Sequence, residues 1–305
     1  MPIEASSHDN SSIWATGIWR DESILNNKTG KTENGNFIFR EMRLGLESAF
    51  AGSSDSVTVT LILAARDTSE FGSNSGNIIR AEQFRLQWTN SVWLMKSLTV
   101  GRFKPLPLTW EWSIDEYDLG PVTYSSLSKP TLIYGDDGIQ GGVEIHNFHA
   151  TFGLFGGHRD GGIYIDPNNT HRHVRVRAEY EFRKKITAGV SSRLNTRDQN
   201  LLGFVFRQEF ENRLLLAEVQ YQYLEDTTIR QWYIQAEQSI YDERANIRLI
   251  ARYERIKQDN KTINRYTPGI RALFFDGYLQ IKSNVIHDAL RTRIFNQVGF
   301  YATFF

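Results

Sequence analysis

The chain has 305 residues, enough for one large domain or two ordinary ones, and no cysteine, which excludes disulfide frameworks, thiolate catalysis and thiolate zinc sites. Thirty-five Lys and Arg balance 35 Asp and Glu, so no net charge draws the protein to nucleic acid, and no run of 18 apolar residues marks a membrane helix. Aromatics at 13% with only 7 prolines are unusual for a soluble enzyme and ordinary for a chain whose spanning segments are half apolar.

The opening Met1-Pro2-Ile3-Glu4 has neither a basic n-region nor an apolar h-region. It reads as a cytoplasmic start or as a mature chain with Met1 added. Residues 1–11, rich in Ser, Asn and Asp, read as a mobile tail ahead of one domain over 12–305.

From there the period is two. Ile38, Met42, Leu44 and Leu46 share one face, with Glu41, Arg43 and Gly45 on the other. Val174, Val176, Ala178, Tyr180 and Phe182 alternate with Arg175, Arg177, Glu179 and Glu181. Leu202, Phe204 and Phe206 oppose Gly203, Arg207 and Glu209. Leu215, Ala217, Val219 and Tyr221 oppose Glu218, Gln220 and Gln222, and Leu249, Ala251 and Tyr253 oppose Arg248, Arg252 and Glu254. This is strand alternation. A soluble β-sandwich would share it, but with shorter strands and more Gly and Pro in its turns. Here the polar face is long and charged. Aromatics such as Trp88, Trp93, Tyr180, Tyr223, Trp232, Tyr253, Tyr266 and Tyr278 cluster near strand ends, as in the girdles of a membrane barrel.

In chain order the strands fall near 12–22, 37–50, 56–66, 79–88, 93–103, 138–146, 149–156, 173–183, 186–194, 201–210, 214–223, 230–241, 246–256, 266–274, 278–286 and 293–305. That is an all-β, transmembrane antiparallel barrel of sixteen strands, with fourteen as the alternative if the weak first strand and one other are lost. Tight connections alternate with longer ones, as periplasmic turns alternate with outer loops. The C-terminal Phe300-Tyr301-Ala302-Thr303-Phe304-Phe305 resembles the terminal strand that marks outer-membrane barrels, with Thr303 departing from the usual aromatic.

The longest connection, 104–137, carries six acids and two bases, and its Trp110, Trp112, Tyr117 and Tyr124 argue for packing rather than disorder. The run Val100-Gly101-Arg102-Phe103-Lys104-Pro105 before it resembles the phosphate-selective porin O/P family, with the Gly141-Gly142-Val143 and Gly153-Leu154-Phe155-Gly156-Gly157 strands fitting the same layout. The resemblance implies a sixteen-stranded, usually trimeric channel whose third outer loop folds inward, with anions favoured by several members. This chain is shorter, with small outer loops and an acidic constriction loop.

On this phase the expected constriction sets Glu111, Asp115, Glu116 and Asp118 on the loop against wall bases Arg43, Arg85, Arg175, Arg177, Arg207 and Arg252. Opposed charge across a water-filled neck orients dipolar solutes. The plainer alternative is that Arg and Glu pair across neighbouring strands and brace the wall.

His146, His149, His158, Asp160, His171 and His173 offer a weak metal cluster, and Asp67, Ser69, Glu70 and His287 a weaker hydrolase set without a nucleophile elbow. The Gly135–Gly142 run matches neither a Walker loop nor a dinucleotide fingerprint.

The sequence therefore predicts a cofactor-free porin of the bacterial outer membrane. It is set in outer-membrane lipid, passes small hydrophilic solutes or ions, and is a homotrimer by resemblance. An exporter of an anionic polymer such as a polysaccharide is the second reading, and a barrel enzyme the third.

Overall fold

The computed structural model describes residues 10–34, 38–66, 78–90, 94–106, 108–109, 121, 136–156, 172–183, 185–195, 200–224, 227–242, 245–259 and 261–304. Alternating apolar and polar side chains make each segment a strand with two unlike faces. In order these are β1 (Asn10–Asn26), β2 (Thr32–Asn34), β3 (Ile38–Ala51), β4 (Asp55–Arg66), β5 (Ile78–Asn90), β6 (Met95–Phe103), β7 (Asp136–Ile145), β8 (Phe148–Phe155) and β9 (His173–Arg183). They continue as β10 (Ile186–Asn195), β11 (Asn200–Glu209), β12 (Arg213–Leu224), β13 (Thr227–Asp242), β14 (Ala245–Gln258), β15 (Lys261–Phe274), β16 (Leu279–His287) and β17 (Arg291–Thr303).

Each barrel strand pairs antiparallel with its neighbour in sequence. β1 then pairs with β17 from Trp14 opposite Thr303 to Asn26 opposite Arg291, which closes the ring. The short β2 pairs only with the outer end of β1, on the edge that β3 occupies lower down. The barrel therefore has sixteen strands. The fourteen-strand alternative fails because β1 is a full strand paired on both edges. The expected tail of 1–11 is also too long, since Asn10 and Ser11 already belong to β1; residues 1–9 lie outside the described residues.

Burial is inverted relative to a soluble protein. Leu44, Phe84, Leu154, Val176, Phe204 and Ile234 point outward and are exposed, Phe84 at 62%. Arg20, Glu41, Arg175, Glu218, Gln235, Glu254 and Lys282 point inward and are buried, Arg175 at 0%. An apolar exterior around a polar interior is a surface for hydrocarbon. Lipid offers no partners to backbone N–H and C=O groups, and the closed ladder satisfies them along the wall.

One end of the barrel is tight at all seven turns. At the other end the strands run further than the sequence indicated. β15 starts at Lys261 rather than near 266, and the ladder continues to Gln258 opposite Lys261, with Asp259 in the left-handed region at φ 49°. β13 starts at Thr227 rather than 230. Above the membrane a ladder needs no apolar side chains, so composition under-reads these ends. The long connections are 27–37, which carries β2, and 67–77, 104–135 and 156–172.

β5 carries a bulge. Ile62 pairs with Gln83 and Leu63 with Ala81, leaving Glu82 extra, so Glu82 and Gln83 both turn inward and are buried.

A charge on the outward face tests the membrane reading. Leu44→Lys should cost about 2–4 kcal/mol of folding stability in vesicles, and Thr60→Lys, on the lumen side, clearly less. Reversible urea unfolding of both variants measures the difference.

Candidate functional site

The candidate site is the lumen where the connection after β6 (hereafter L3) leaves the wall. Gly101 has φ 122° and a β-carbon there would collide with the Phe84 carbonyl oxygen, so this turn into L3 requires glycine. Phe103 follows, 1% exposed, packing edge-on against Phe155 at 5.6 Å between centroids and clustering with Leu106. Pro105 is buried beside it.

The chain then crosses the inner wall. The Arg175 guanidinium on β9 donates from Nη1 to the Leu106 carbonyl at 3.0 Å. The Ser191 hydroxyl on β10 donates to the Leu108 carbonyl at 2.6 Å. A β-carbon on Gly203 of β11 would sit 2.6 Å from Ser191 Oγ and 3.5 Å from the Leu108 oxygen, so this wall glycine makes room for the loop backbone. Three successive strands thus hold the root of L3 inside the barrel. Its other end returns to the same place, with Asp136 opposite Phe103 and fully buried. The His173 ring faces Asp136 at 3.9 Å and stacks on Phe155, while the Arg175 guanidinium lies over the Phe155 ring, 5.7 Å from its centroid.

Of the expected constriction residues, Glu111, Asp115, Glu116 and Asp118 lie outside the described residues. The six arginines all face the lumen but are not gathered in one ring. Arg43 and Arg85 stand on β3 and β5, Arg175 and Arg177 on β9, Arg207 on β11 and Arg252 on β14. Arg175 holds L3. Four of the others pair with a glutamate two residues away on their own strand: Arg43 with Glu41 at 2.7 Å, Arg177 with Glu179 at 2.6 Å, Arg207 with Glu209 at 3.3 Å and Arg252 with Glu254 at 3.8 Å. Arg43 also reaches Glu82 at 3.2 Å. The expected pairing across neighbouring strands is therefore corrected: most of these pairs run along one strand, and Arg43–Glu82 reaches from β3 past β4 to β5. Residues i and i+2 share the lumen face, and hydrated long side chains bridge that spacing.

A second charged feature emerges from strand register. Arg20 on β1 stands opposite Gln297 on β17, which opposes Lys282 on β16, then Arg271 on β15, then Arg248 on β14. Arg20 donates from Nη2 to Gln297 Oε1 at 3.2 Å, and Arg248 reaches Glu237 at 3.1 Å. Rows of this kind run across strands that tilt by roughly 35–45°, so the basic row climbs the wall obliquely. Of its five strands, β16, β17 and β1 stand eight places round the ring from β8, β9 and β10. The basic row therefore faces the rooted side of L3 across the lumen.

The histidine cluster is not assembled. His146 sits in the tight turn after β7, and His149 pairs with Glu144 at 3.6 Å near the same end. His173 is at the opposite end of the barrel, because β8 and β9 run antiparallel with His149 opposite Glu179. His158, Asp160 and His171 lie outside the described residues, as do Asp67, Ser69 and Glu70. His287 bonds Thr292 on the exterior.

Two perturbations probe this geometry. Arg175→Met and Ser191→Ala together should free the root of L3, raising mean single-channel conductance and open-channel noise, with Arg175→Lys restoring part of the wild-type trace. At the outer turn after β16, burial pushes the Asp288 carboxyl up. Hydrogen bonds from the Leu290 and Arg291 amides, with the charges of Arg265 and Arg293, outweigh this and hold it below the ordinary 3.8. A lowered carboxylate pKa stabilises above the unfolded value and is lost as pH falls through the folded one. Amide exchange in this turn should therefore accelerate below about pH 4, and Asp288→Asn should exchange fast at all pH values.

No family model matches the chain, and no curated protein matches it. Solved structures do. The anion-selective porin of Comamonas acidovorans is 13% identical with a TM-score of 0.65, over 97% of this chain and 100% of that one. Pseudomonas putida OprB is 9% identical with a TM-score of 0.66, over 97% and 94%. OmpT, an outer membrane protein of Vibrio cholerae in its trimer form, is 9% identical with a TM-score of 0.62, over 96% and 100%. None of these singles out the phosphate-selective O/P branch. At such identities the likeness is one of architecture: this chain has the barrel fold of bacterial outer-membrane porins.

Proposed function

We propose that the chain is an outer-membrane diffusion channel for small hydrophilic solutes and ions, with a preference for anions. The observation that carries this reading is a long loop rooted on the lumen wall of a closed barrel by Arg175 and Ser191. A segment fixed inside the lumen sets a size limit, and hydrated wall charges then bias which ions cross. The basic row of Arg20, Lys282, Arg271 and Arg248 supports anion preference, since register sets four cationic side chains side by side on the lumen face. The anion selectivity of the Comamonas porin points the same way. The 100–105 run and the place of the loop after it are what remain in favour of the O/P branch.

The continuity of the basic row also favours the second reading, an exporter of an anionic polymer. A polymer conduit needs a wide, unobstructed lumen, so the rooted loop weighs against it.

Assembly as a homotrimer belongs to the same proposal. The Vibrio protein is described in a trimer form. On this barrel Ser283 Oγ bonds Asn296 Oδ1 at 2.9 Å on the outward face, with Asp21 opposite Asn296. Ile281 and Val285, and Ile294 and Val298, flank that pair along their strands. Lipid gives such groups no partner, whereas a second protomer does.

Reversal potential in a KCl gradient tests the reading. Wild-type channels should favour chloride, and neutralising Arg20, Arg248, Arg271 and Lys282 to Gln should move the potential toward the cation side. An unchanged potential would remove the row from the selectivity account. Passage of a charged polysaccharide with exclusion of small sugars would favour export.

A further inference from the structure

The exterior of β13–β15 carries a graded stripe. Ile234, Leu249 and Ile270 form its apolar part. Next toward the outer end come Trp232, Tyr253 and Tyr266, ring against ring at 5.2 Å and 4.9 Å between centroids. Tyr253 is fixed by a hydrogen bond from its hydroxyl to Asn264 Oδ1 at 3.0 Å. Such a girdle marks the edge of the hydrocarbon.

Beyond this girdle the outward positions are basic. Arg230 follows Trp232 on β13, and Arg255 and Lys257 follow Tyr253 on β14, all three exposed. Arg230 stands directly opposite Lys257, and Arg255 opposite Trp232, diagonal to Arg230. Like charges directly opposed on one face are destabilising. In the lumen Arg43, Arg177, Arg207 and Arg252 each have a glutamate two residues away on the same strand. Here the two rows read Tyr221, Arg230, Lys257, Thr262 and Trp232, Arg255, Asn264, without a carboxylate. Among the described residues none of the three cations has an ion-pair partner. Glu254, next to Arg255, faces the lumen and is buried; the acids at this outer end are Asp259, in the turn above, and Glu225 and Asp226, which lie outside the described residues. Each outward step along a strand rises about 7 Å, so the cations sit where headgroups begin.

We infer that Arg230, Arg255 and Lys257 form a docking site for the phosphate-bearing headgroup of an outer-leaflet glycolipid. Two guanidinium forks and an ammonium within one cross-strand neighbourhood suit a phosphate monoester. Thr262 adds a hydroxyl opposite Lys257, and the girdle rings below lie along the first methylenes of the acyl chains. This inference rests on the outer-membrane reading and not on conduction, because these side chains face away from the lumen.

The test uses the full chain, refolded in detergent, with bisphosphorylated lipid A as probe and native mass spectrometry as readout. Wild-type protein should retain the lipid. The triple variant Arg230→Gln, Arg255→Gln, Lys257→Gln should bind it roughly tenfold to a hundredfold more weakly, and wild-type protein should show the same loss toward dephosphorylated lipid A. Equal retention by the variant, or of the dephosphorylated lipid, would overturn the site. Full displacement by excess inorganic phosphate would reduce it to a free-anion site and overturn the lipid assignment. Heat-modifiable gel migration verifies that the variant is folded. Its conductance should match the wild type, so a silent wild-type channel would count against the channel reading and leave the lipid result standing.

Discussion

The ladder that joins β1 to β17 is the constraint on which the rest depends. A sheet in hydrocarbon cannot keep an open edge, because each unsatisfied backbone group there costs several kcal/mol. Once the ring closes, every strand has one face to lipid and one to the lumen. The inverted burial pattern, the outer girdle of Trp232, Tyr253 and Tyr266, and the charged interior all follow from that closure. The same closure brings the first and last strands together, which places Arg20 in one row with Lys282, Arg271 and Arg248.

A closed wall also changes what a long loop can do. L3 begins and ends at one cross-strand pair, Phe103 and Asp136, so its excursion is tethered at a single point of the rim. Gly101 turns the backbone inward, Phe103 and Leu106 pack on Phe155, and the wall donates to the Leu106 and Leu108 carbonyls. These contacts are apolar burial plus two hydrogen bonds from buried side chains. They hold the loop with one wall charge, Arg175, and one hydroxyl, Ser191, while the Arg20 to Arg248 row lies on other strands. Function in this barrel is read from the division between residues that fix the loop and residues that present charge.

Much of this was legible in the sequence, for identifiable reasons. Period-two alternation gave all sixteen barrel strands, because each segment had to choose a lipid face and a lumen face. The place of the inward loop followed from strand order. What was missed is nonlocal or irregular. Glu82 reaches Arg43 only because a bulge breaks the period, and alternation cannot foresee a bulge. Arg20 lies on the strand with the weakest pattern, and its partners are nearly three hundred residues away. The basic row depends on register across five strands. The roles given to Arg175 and its neighbours changed for a related reason: sequence shows that a side chain faces inward, but not whether it meets a carboxylate, a loop carbonyl or the far wall. The outer ends of β13 and β15 were cut short because a ladder above the membrane needs no apolar signal.

The central claim is a water-filled barrel narrowed by a loop rooted on its wall. Single-channel recording in planar bilayers tests it most directly, comparing the full chain with one shortened between Trp110 and Lys129 so that the root on Arg175 and Ser191 is kept. The account predicts discrete steps from both proteins, larger in the shortened one, with a matching rise in the size of neutral polymer that enters. Silence from correctly folded protein, or steps of unchanged size after shortening, would contradict it.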